Sequence, residues 1–319
     1  MDCILKVEHL TKTFVSQGRD DYTAVDDVSF SMNYGEKLAI IGESGSGKTT
    51  IVNMITRLLD VTSGTVYLDG EEITNLSGKK LKPVYKKMQM VFQTPTESFD
   101  PRQTLGAGVA ESLINHGMKR KEAMKEAENL LELCGLKKEF AKRYPHEVSG
   151  GQCQRAAIAR AIAINPKLLI LDEATSALDV TVQKEILELL ERLREERKMS
   201  YLFICHDIAL IEQCAHQIAV MYLGNVVEVL PGGQLSKDAV HPYTRALMGS
   251  VFDINMDFSK PIENLEGEAP SPLELPEGCP FQGRCTKCMA ICKKEAPQMV
   301  SLTPDHQVAC HLYTKNMQK

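Results

Sequence analysis

The sequence has no run approaching about 18 consecutive apolar residues, the length a membrane-crossing helix needs, so no transmembrane helix is expected. It has no excess of positive charge either: 37 Lys and Arg stand against 42 Asp and Glu, for a net charge of −5. Binding to nucleic acid through bulk charge is therefore without support. The basic run Lys79, Lys80, Lys82, Lys86 and Lys87 reads as a solvated face. No internal repeat and no low-complexity tract is present. The start, Met1-Asp2-Cys3-Ile4-Leu5-Lys6, carries an early acid and lacks the apolar stretch of a secretory signal. Without an export signal, a disulfide framework is not expected for the ten cysteines. What remains is ordinary for a soluble globular chain: 43% hydrophobic and 25% charged residues exclude disorder and collagen-like repeats. At roughly 150 residues per domain, 319 residues allow one large domain and a smaller one.

Strand and helix patterns alternate along the first 250 residues. Short apolar runs at Ile4–Leu10, Lys37–Ile41, 65–73, Met88–Phe92, Leu168–Leu171 and Tyr201–Cys205 read as strands. Asp69-Gly70 marks a tight turn in one of them. Ile218–Tyr222 and Val226–Leu230 read as a hairpin around Gly224-Asn225. From about 104 to 165 the pattern is helical, with Ala123, Ala127, Leu130, Leu131 and Cys134 on one face. A further amphipathic helix carries Val182, Ile186, Leu189, Leu190 and Leu193. Such alternation predicts a mostly parallel sheet covered by helices, with the central helical stretch as an insertion. After about 250, Pro261, Pro270, Pro272, Pro276 and Pro280 break the regular pattern, and a small appended module is expected.

Three motifs carry chemistry. Gly42, Glu43, Ser44, Gly45, Ser46, Gly47, Lys48, Thr49 and Thr50 fit a phosphate-binding loop between a buried strand and a helix. The glycines let successive backbone N–H groups turn towards a nucleotide β-phosphate. Lys48 then reaches the β- and γ-phosphates, and the Thr49 hydroxyl ligates Mg²⁺. Second, the apolar strand Leu168–Leu171 ends in Asp172 and Glu173. Asp172 is placed to hold Mg²⁺, and Glu173 to orient and deprotonate an attacking water. Third, Ser149, Gly150, Gly151 and Gln152 open a helix, giving a second anion-binding N-terminus. Each motif also has a plain structural reading: a glycine turn, a strand ending in solvated acids, a capped helix. Their joint order decides. The phosphate loop, Gln93 at a strand end, Ser149-Gly-Gly-Gln152, Asp172-Glu173, Ser176-Ala-Leu-Asp179 and His206 after a strand follow one another at consistent spacing.

This ordered set resembles the nucleotide-binding subunit of ABC transporters, over residues 4 to about 250. The resemblance implies an α/β P-loop NTPase with a RecA-like core sheet, an antiparallel β subdomain and a helical subdomain at about 95–165. On it, Phe14 matches the aromatic that stacks on adenine, with Tyr22 as its rival because the loop at 15–23 is long. Gln93 matches the residue that touches Mg²⁺ and signals to the membrane subunits. Ser149, Gly151 and Gln152 match the signature that contacts ATP bound to a partner subunit. Asp179 matches the residue that communicates across the dimer, and His206 the γ-phosphate switch. Val148 stands where the family usually has Leu and keeps an apolar anchor. A non-transport ATPase of the same superfamily, acting in DNA repair or translation, would bring a long coiled coil or two such domains, and neither is read here.

The stretch 251–319 narrows the resemblance. His241-Pro-Tyr-Thr-Arg-Ala-Leu247, Gly278-Cys279-Pro-Phe-Gln-Gly-Arg284-Cys285 and His306-Gln-Val-Ala-Cys310-His are similar to the tail of the oligopeptide/dipeptide/nickel uptake group. Thr94 to Arg102 is similar to the second of that group's two paired ATPases. The implied activity is ATP hydrolysis that energises import of oligopeptides or dipeptides, or of nickel, at the cytoplasmic face of a cell membrane. The implied partners are a second ABC ATPase subunit, two transmembrane permease subunits and an extracytoplasmic substrate-binding protein, with no nucleic acid. The implied cofactors are ATP and Mg²⁺. Five cysteines crowd residues 279–310. Four of them, Cys279, Cys285, Cys292 and Cys310, suit a [4Fe–4S] cluster or Zn²⁺ in a module with little core of its own. Cys288 is an extra candidate, and close-packed thiols without a metal are the alternative. The thiols are not expected to enter the phosphate-loop chemistry.

Overall fold

The computed structural model describes residues 3–15, 21–174, 178–205, 207–249, 270–271 and 275–314. The chain runs β1 (Cys3–Phe14), β2 (Tyr22–Asn33), β3 (Lys37–Ile41), α1 (Lys48–Ile55), β4 (Ser63–Leu68) and β5 (Glu71–Glu72). It continues through α2 (Lys82–Lys87), β6 (Met88–Val91), α3 (Leu105–Asn115), α4 (Arg120–Leu133), α5 (Gly150–Ile162), β7 (Leu168–Asp172) and α6 (Val180–Arg197). It ends with β8 (Ser200–Ile204), α7 (Ile208–Cys214), β9 (Gln217–Tyr222), β10 (Asn225–Pro231), α8 (Leu235–Asp238), α9 (Pro242–Gly249), β11 (Val300–Thr303), β12 (His306–Val308) and α10 (His311–Thr314). Two compact units share these elements. The first comprises Met1–Leu5, Met32–Glu36 and Tyr67–Ile204; the second comprises Lys6–Ser31, Lys37–Val66 and Cys205–Lys319.

In the first unit β6, β7 and β8 pair in parallel, with Met88 opposite Leu168 and Leu168 opposite Ser200. Every residue of β7 and β8 is buried, which suits strands covered on both faces. The apolar stripe of α4 lies inward as its spacing predicts: Ala123, Ala127, Leu131 and Cys134 have no exposed surface. Thr104 accepts from the Ala107 N–H and starts α3. On α6 the inward face is Ile186, Leu189, Leu190 and Leu193, while Val182 is only half-buried.

In the second unit β3 and β9 are parallel, with Leu38 opposite Gln217. β9 and β10 form the expected hairpin, with Asn225 opposite Tyr222. β12 pairs antiparallel to β10, and β11 to β12, so the C-terminal segment extends this sheet. Glu228 of β10 is fully buried; it accepts the Val240 N–H at 2.8 Å and pairs with His306 Nε2 at 2.8 Å. That pair ties the β11–β12 hairpin to the strand beside it.

Several boundaries differ from the sequence reading. The expected strand at 65–73 is split by the Asp69-Gly70 turn, where Asp69 has φ 56° and Gly70 φ 78°. The strand expected to end at Phe92 ends at Val91, and Phe92 is 40% exposed. β2, β11, β12, α2, α7, α8, α9 and α10 were not expected from the pattern.

Candidate active site

The second unit holds the phosphate loop. It leaves β3 at Gly42 and enters α1 at Lys48, between the buried strand and the helix as the motif requires. Glycine is needed at its ends for two separate reasons. A Cβ on Gly42 would lie 2.2 Å from the Met221 carbonyl oxygen, and one on Gly47 2.4 Å from that of Ala24. Gly45 and Gly47 also adopt φ of 77° and 101°. Gly47 caps α1 without any side-chain hydrogen bond to its first turn. Having no side chain, Gly47 leaves this end of α1 without a side-chain cap of its own, as a helix N-terminus that receives an anion needs. Lys48 is 5% exposed and lies over the loop, donating to the Gly42 carbonyl at 2.8 Å and the Glu43 carbonyl at 2.9 Å. Thr49 is exposed, Thr50 half-buried, Ser44 exposed and Ser46 buried. The Ser46 carbonyl accepts the Gly224 N–H at 3.0 Å, which fixes the back of the loop.

Phe14 and Tyr22, the two rival aromatics, stack on each other with centroids 6.1 Å apart and planes 15° from parallel. Lys12 Nζ lies 5.1 Å from the Phe14 centroid. Phe14 remains 37% exposed, so this small platform is accessible to a flat ligand.

The first unit holds the acids and the signature. Asp172 closes β7 and is 8% exposed; Glu173 follows with φ 47° and donates its N–H to the Ile204 carbonyl. A non-glycine residue in that left-handed region costs of order 1 kcal/mol or more and is commonest where function needs it. The Gln93 amide, at the end of β6, donates to Glu173 Oε2 at 2.5 Å. Sequence reasoning had both residues but not their contact. Ser149 caps α5 through a reciprocal box: its hydroxyl accepts the Gln152 N–H at 3.3 Å, and Gln152 Oε1 accepts the Ser149 N–H at 3.0 Å. The helix thus begins at Gly150, directly after its Ser149 cap. Gly151 faces α6: a Cβ there would lie 2.8 Å from Val182 Cγ1. Asp179 caps α6, accepting the Val182 N–H at 3.0 Å. Ser149, Gly151 and Gln152 line an open groove of about 850 Å³, together with Lys137, Arg143 and Arg155. Ser176 and His206 lie outside the described residues.

Cys279, Cys285, Cys292 and Cys310 all line one small cavity with His241 and His311; Cys288 does not. Burial pushes the Cys279 thiol up to about 11 and raises those of Cys285 and Cys310 too, so they are protonated near neutral pH. Among the described residues no group of three or more His, Cys, Asp or Glu side chains stands in a metal-holding arrangement. No helix among them is long and apolar enough to cross a membrane.

Sequence reasoning missed the residues that hold the loop from behind. Tyr243 and Arg284 both contact Glu43. Both lie in stretches that marked the family resemblance, yet nothing local in them points at residue 43.

A fold of this kind, with a phosphate loop, a Gln–Glu pair and a capped Ser-Gly-Gly-Gln helix, defines an ATP-binding cassette. The ABC transporter family matches residues 25–176, and the oligopeptide/dipeptide transporter C-terminal region matches residues 227–292. The oligopeptide transport ATP-binding protein AppF of Bacillus subtilis is 45% identical over 298 residues, covering 92% of this chain and 91% of its own. The di/tripeptide transport ATP-binding protein DppF of Pseudomonas aeruginosa is 38% identical and is covered over 98% of both chains. Among solved structures, the ATP-binding cassette MJ0796, described as a post-hydrolysis dimer bound to ADP and phosphate, is similar with a TM-score of 0.66. It is 33% identical, with 71% of this chain and 98% of that chain covered. The chain belongs to the ABC transporter ATP-binding proteins, in their oligopeptide/dipeptide group.

Proposed function

We propose that this protein binds and hydrolyses ATP to drive import of oligopeptides or dipeptides. The observation that carries it is the pair of half-sites above. One is a phosphate loop with Lys48 laid across it, and the other is a base candidate, Glu173, already held by Gln93. Relatives named for peptide transport favour peptides over nickel. In this reading Lys48 binds the β- and γ-phosphates, and Thr49, Asp172 and Gln93 hold Mg²⁺, which offsets phosphate charge when bound. Glu173 takes a proton from the attacking water, with His206 as the γ-phosphate sensor. The Phe14–Tyr22 platform takes the adenine. Two ATPase subunits close head to tail, and Ser149-Gly150-Gly151-Gln152 of one completes the site of the other, with Asp179 beside it. The ATPase sits at the cytoplasmic face of the membrane, and two permease subunits and an extracytoplasmic binding protein complete the importer. The test is peptide uptake in vesicles reconstituted with the permease and binding protein: ATP should drive it, and Lys48→Ala should abolish both uptake and hydrolysis. Uptake that persists in Lys48→Ala would reject the reading.

A second proposal concerns the cysteine cavity. We infer that it takes an iron–sulfur cluster or Zn²⁺ once its thiols, which do not stand in a metal-holding arrangement in this structure, draw together, because four of the five clustered thiols line the same cavity and the fifth does not. Since burial keeps the Cys279, Cys285 and Cys310 thiols protonated when free, loading must release protons and should weaken as pH falls. Protein prepared without oxygen should contain iron and sulfide, or about one zinc per chain. Cys285→Ser should lose it, and a metal-free wild type would leave the thiols as packing alone.

A further inference from the structure

We propose that Arg284 is a positioning residue for the phosphate loop, which it serves by pinning and neutralising Glu43; this rests on the reading that the loop binds ATP. The second position of the loop is a glutamate, a fixed anion in a backbone cradle meant for a polyanion. Left unpaired, it would oppose the phosphates over a short, poorly screened distance. It is not unpaired. Arg284 Nη1 donates to Glu43 Oε2 at 2.7 Å and Nη2 donates to Oε1 at 3.2 Å, a two-pronged contact across 241 positions of sequence. The Arg284 side chain is 7% exposed and that of Glu43 30% exposed, so water screens the pair only in part.

The rest of Glu43 is held too. Its N–H donates to the Tyr243 hydroxyl at 2.9 Å, and its carbonyl accepts from Lys48 Nζ at 2.9 Å and from the Ser46 N–H at 3.2 Å. Side chain, amide and carbonyl are thus each fixed by a different partner. Behind them the support is rigid. Tyr243 is fully buried, and its ring packs on Tyr222 and Phe281 at 4.6 and 5.4 Å between centroids. Phe281, three residues before Arg284, is itself 3% exposed and meets Tyr222 edge-on at 5.2 Å. The turn that presents Arg284 is closed by backbone bonds from Cys279 N–H to the Cys292 carbonyl and from Arg284 N–H to the Phe281 carbonyl. Gly278, with φ 77°, allows the close approach to Cys292 that this turn needs. Burying an Arg fork and an aromatic cluster against one loop residue is more than is needed to attach a tail. Its consequence is a loop held open in shape and free of net charge at residue 43.

The experiment is a double-mutant cycle read by binding of fluorescent mant-ATP with Mg²⁺ to the full chain. Arg284→Met should weaken binding about tenfold, because the carboxylate is released beside the phosphates. In a Glu43→Gln background the same Arg284→Met change should alter binding by less than about twofold. Arg284→Lys keeps the charge and should recover most of the affinity, with the change in KM for ATP rather than in kcat. An equal loss from Arg284→Met in both backgrounds, or no loss in either, overturns the proposal. If Arg284→Met fails to fold, the Arg284→Lys arm decides, and a loss there as large as that of Lys48→Ala overturns it. Failure of the ATP reading itself looks different: wild type and Lys48→Ala would then be equally unable to bind mant-ATP.

Discussion

The Gln93 amide donates to the Glu173 carboxylate at 2.5 Å, Nε2 to Oε2, between the ends of β6 and β7. The residue proposed to touch Mg²⁺ thereby holds the residue proposed to take the proton. A donor on one carboxylate oxygen fixes the orientation of the group that is to take the proton. Glu173→Gln keeps shape and polarity but removes the base. Turnover of ATP should fall at least about 100-fold, while ATP still binds. Steady-state hydrolysis alongside mant-ATP binding checks this, and wild-type turnover would reject the role of Glu173.

Ser149 has one observed job and one proposed job, and substitutions can separate them. As the cap of α5 it accepts the Gln152 N–H. Ser149→Ala should cost about 1 kcal/mol of stability from the lost cap. Ser149→Arg puts bulk and charge where a partner's ATP is proposed to sit. In a Glu173→Gln background it should prevent ATP-induced dimerisation, measured by size-exclusion chromatography with light scattering, and leave monomer affinity for ATP within about twofold. Dimerisation of the Ser149→Arg variant would show that the signature does not face a partner's nucleotide.

The elements that the sequence made legible are those with clean periodicity. α4 buries Ala123, Ala127, Leu130, Leu131 and Cys134 as its spacing predicts, and β3, β7 and β8 are continuous apolar runs bounded by turn signals. β2 was missed for a physical reason. Val28, Phe30 and Met32 alternate with exposed Ser29 and Ser31, but Ala24 and Val25 are both buried, because Asp27 adopts φ 49° and breaks the two-residue repeat halfway along the strand. The loop residues were legible because phosphate binding constrains a contiguous stretch. The contacts on Glu43 were not, since Tyr243 and Arg284 reach it from 200 and 241 positions away. Local pattern carries no information on such pairs.

His241 gives the second unit an acid-sensitive point. It is 1% exposed, its Nδ1 accepts the Tyr243 N–H at 3.0 Å, and burial pulls its pKa down to about 4. In the unfolded chain an imidazole titrates near 6.5. Between those values the unfolded state binds the extra proton, so stability is full above about 6.5 and declines as pH falls towards about 4, by at most about 3 kcal/mol. Thermal melting between pH 7.5 and 4.5 should show this slope in wild type and a shallower one in His241→Gln. Parallel slopes would assign the acid sensitivity to other groups.

Gly47 and Gly70 both adopt a left-handed backbone, at φ 101° and 78°, yet they predict different outcomes on substitution by alanine. At Gly70, in the β4–β5 turn, a Cβ meets nothing within 4 Å. Gly70→Ala should therefore lose only the conformational term, about 1 kcal/mol, and bind nucleotide like wild type. At Gly47 the added Cβ would lie 2.4 Å from the Ala24 carbonyl oxygen, a backbone atom that cannot rotate away, and 3.4 Å from Met221 Cε and Val25 Cγ2. Relief requires the loop to move, and Gly47 is the residue that aims the first N–H groups of α1. Gly47→Ala should weaken mant-ATP binding at least about tenfold, beyond anything its loss of stability accounts for. Urea unfolding and nucleotide titration on both variants make the comparison. Equal nucleotide affinity for Gly47→Ala and Gly70→Ala would mean that the phosphates are not held where α1 begins.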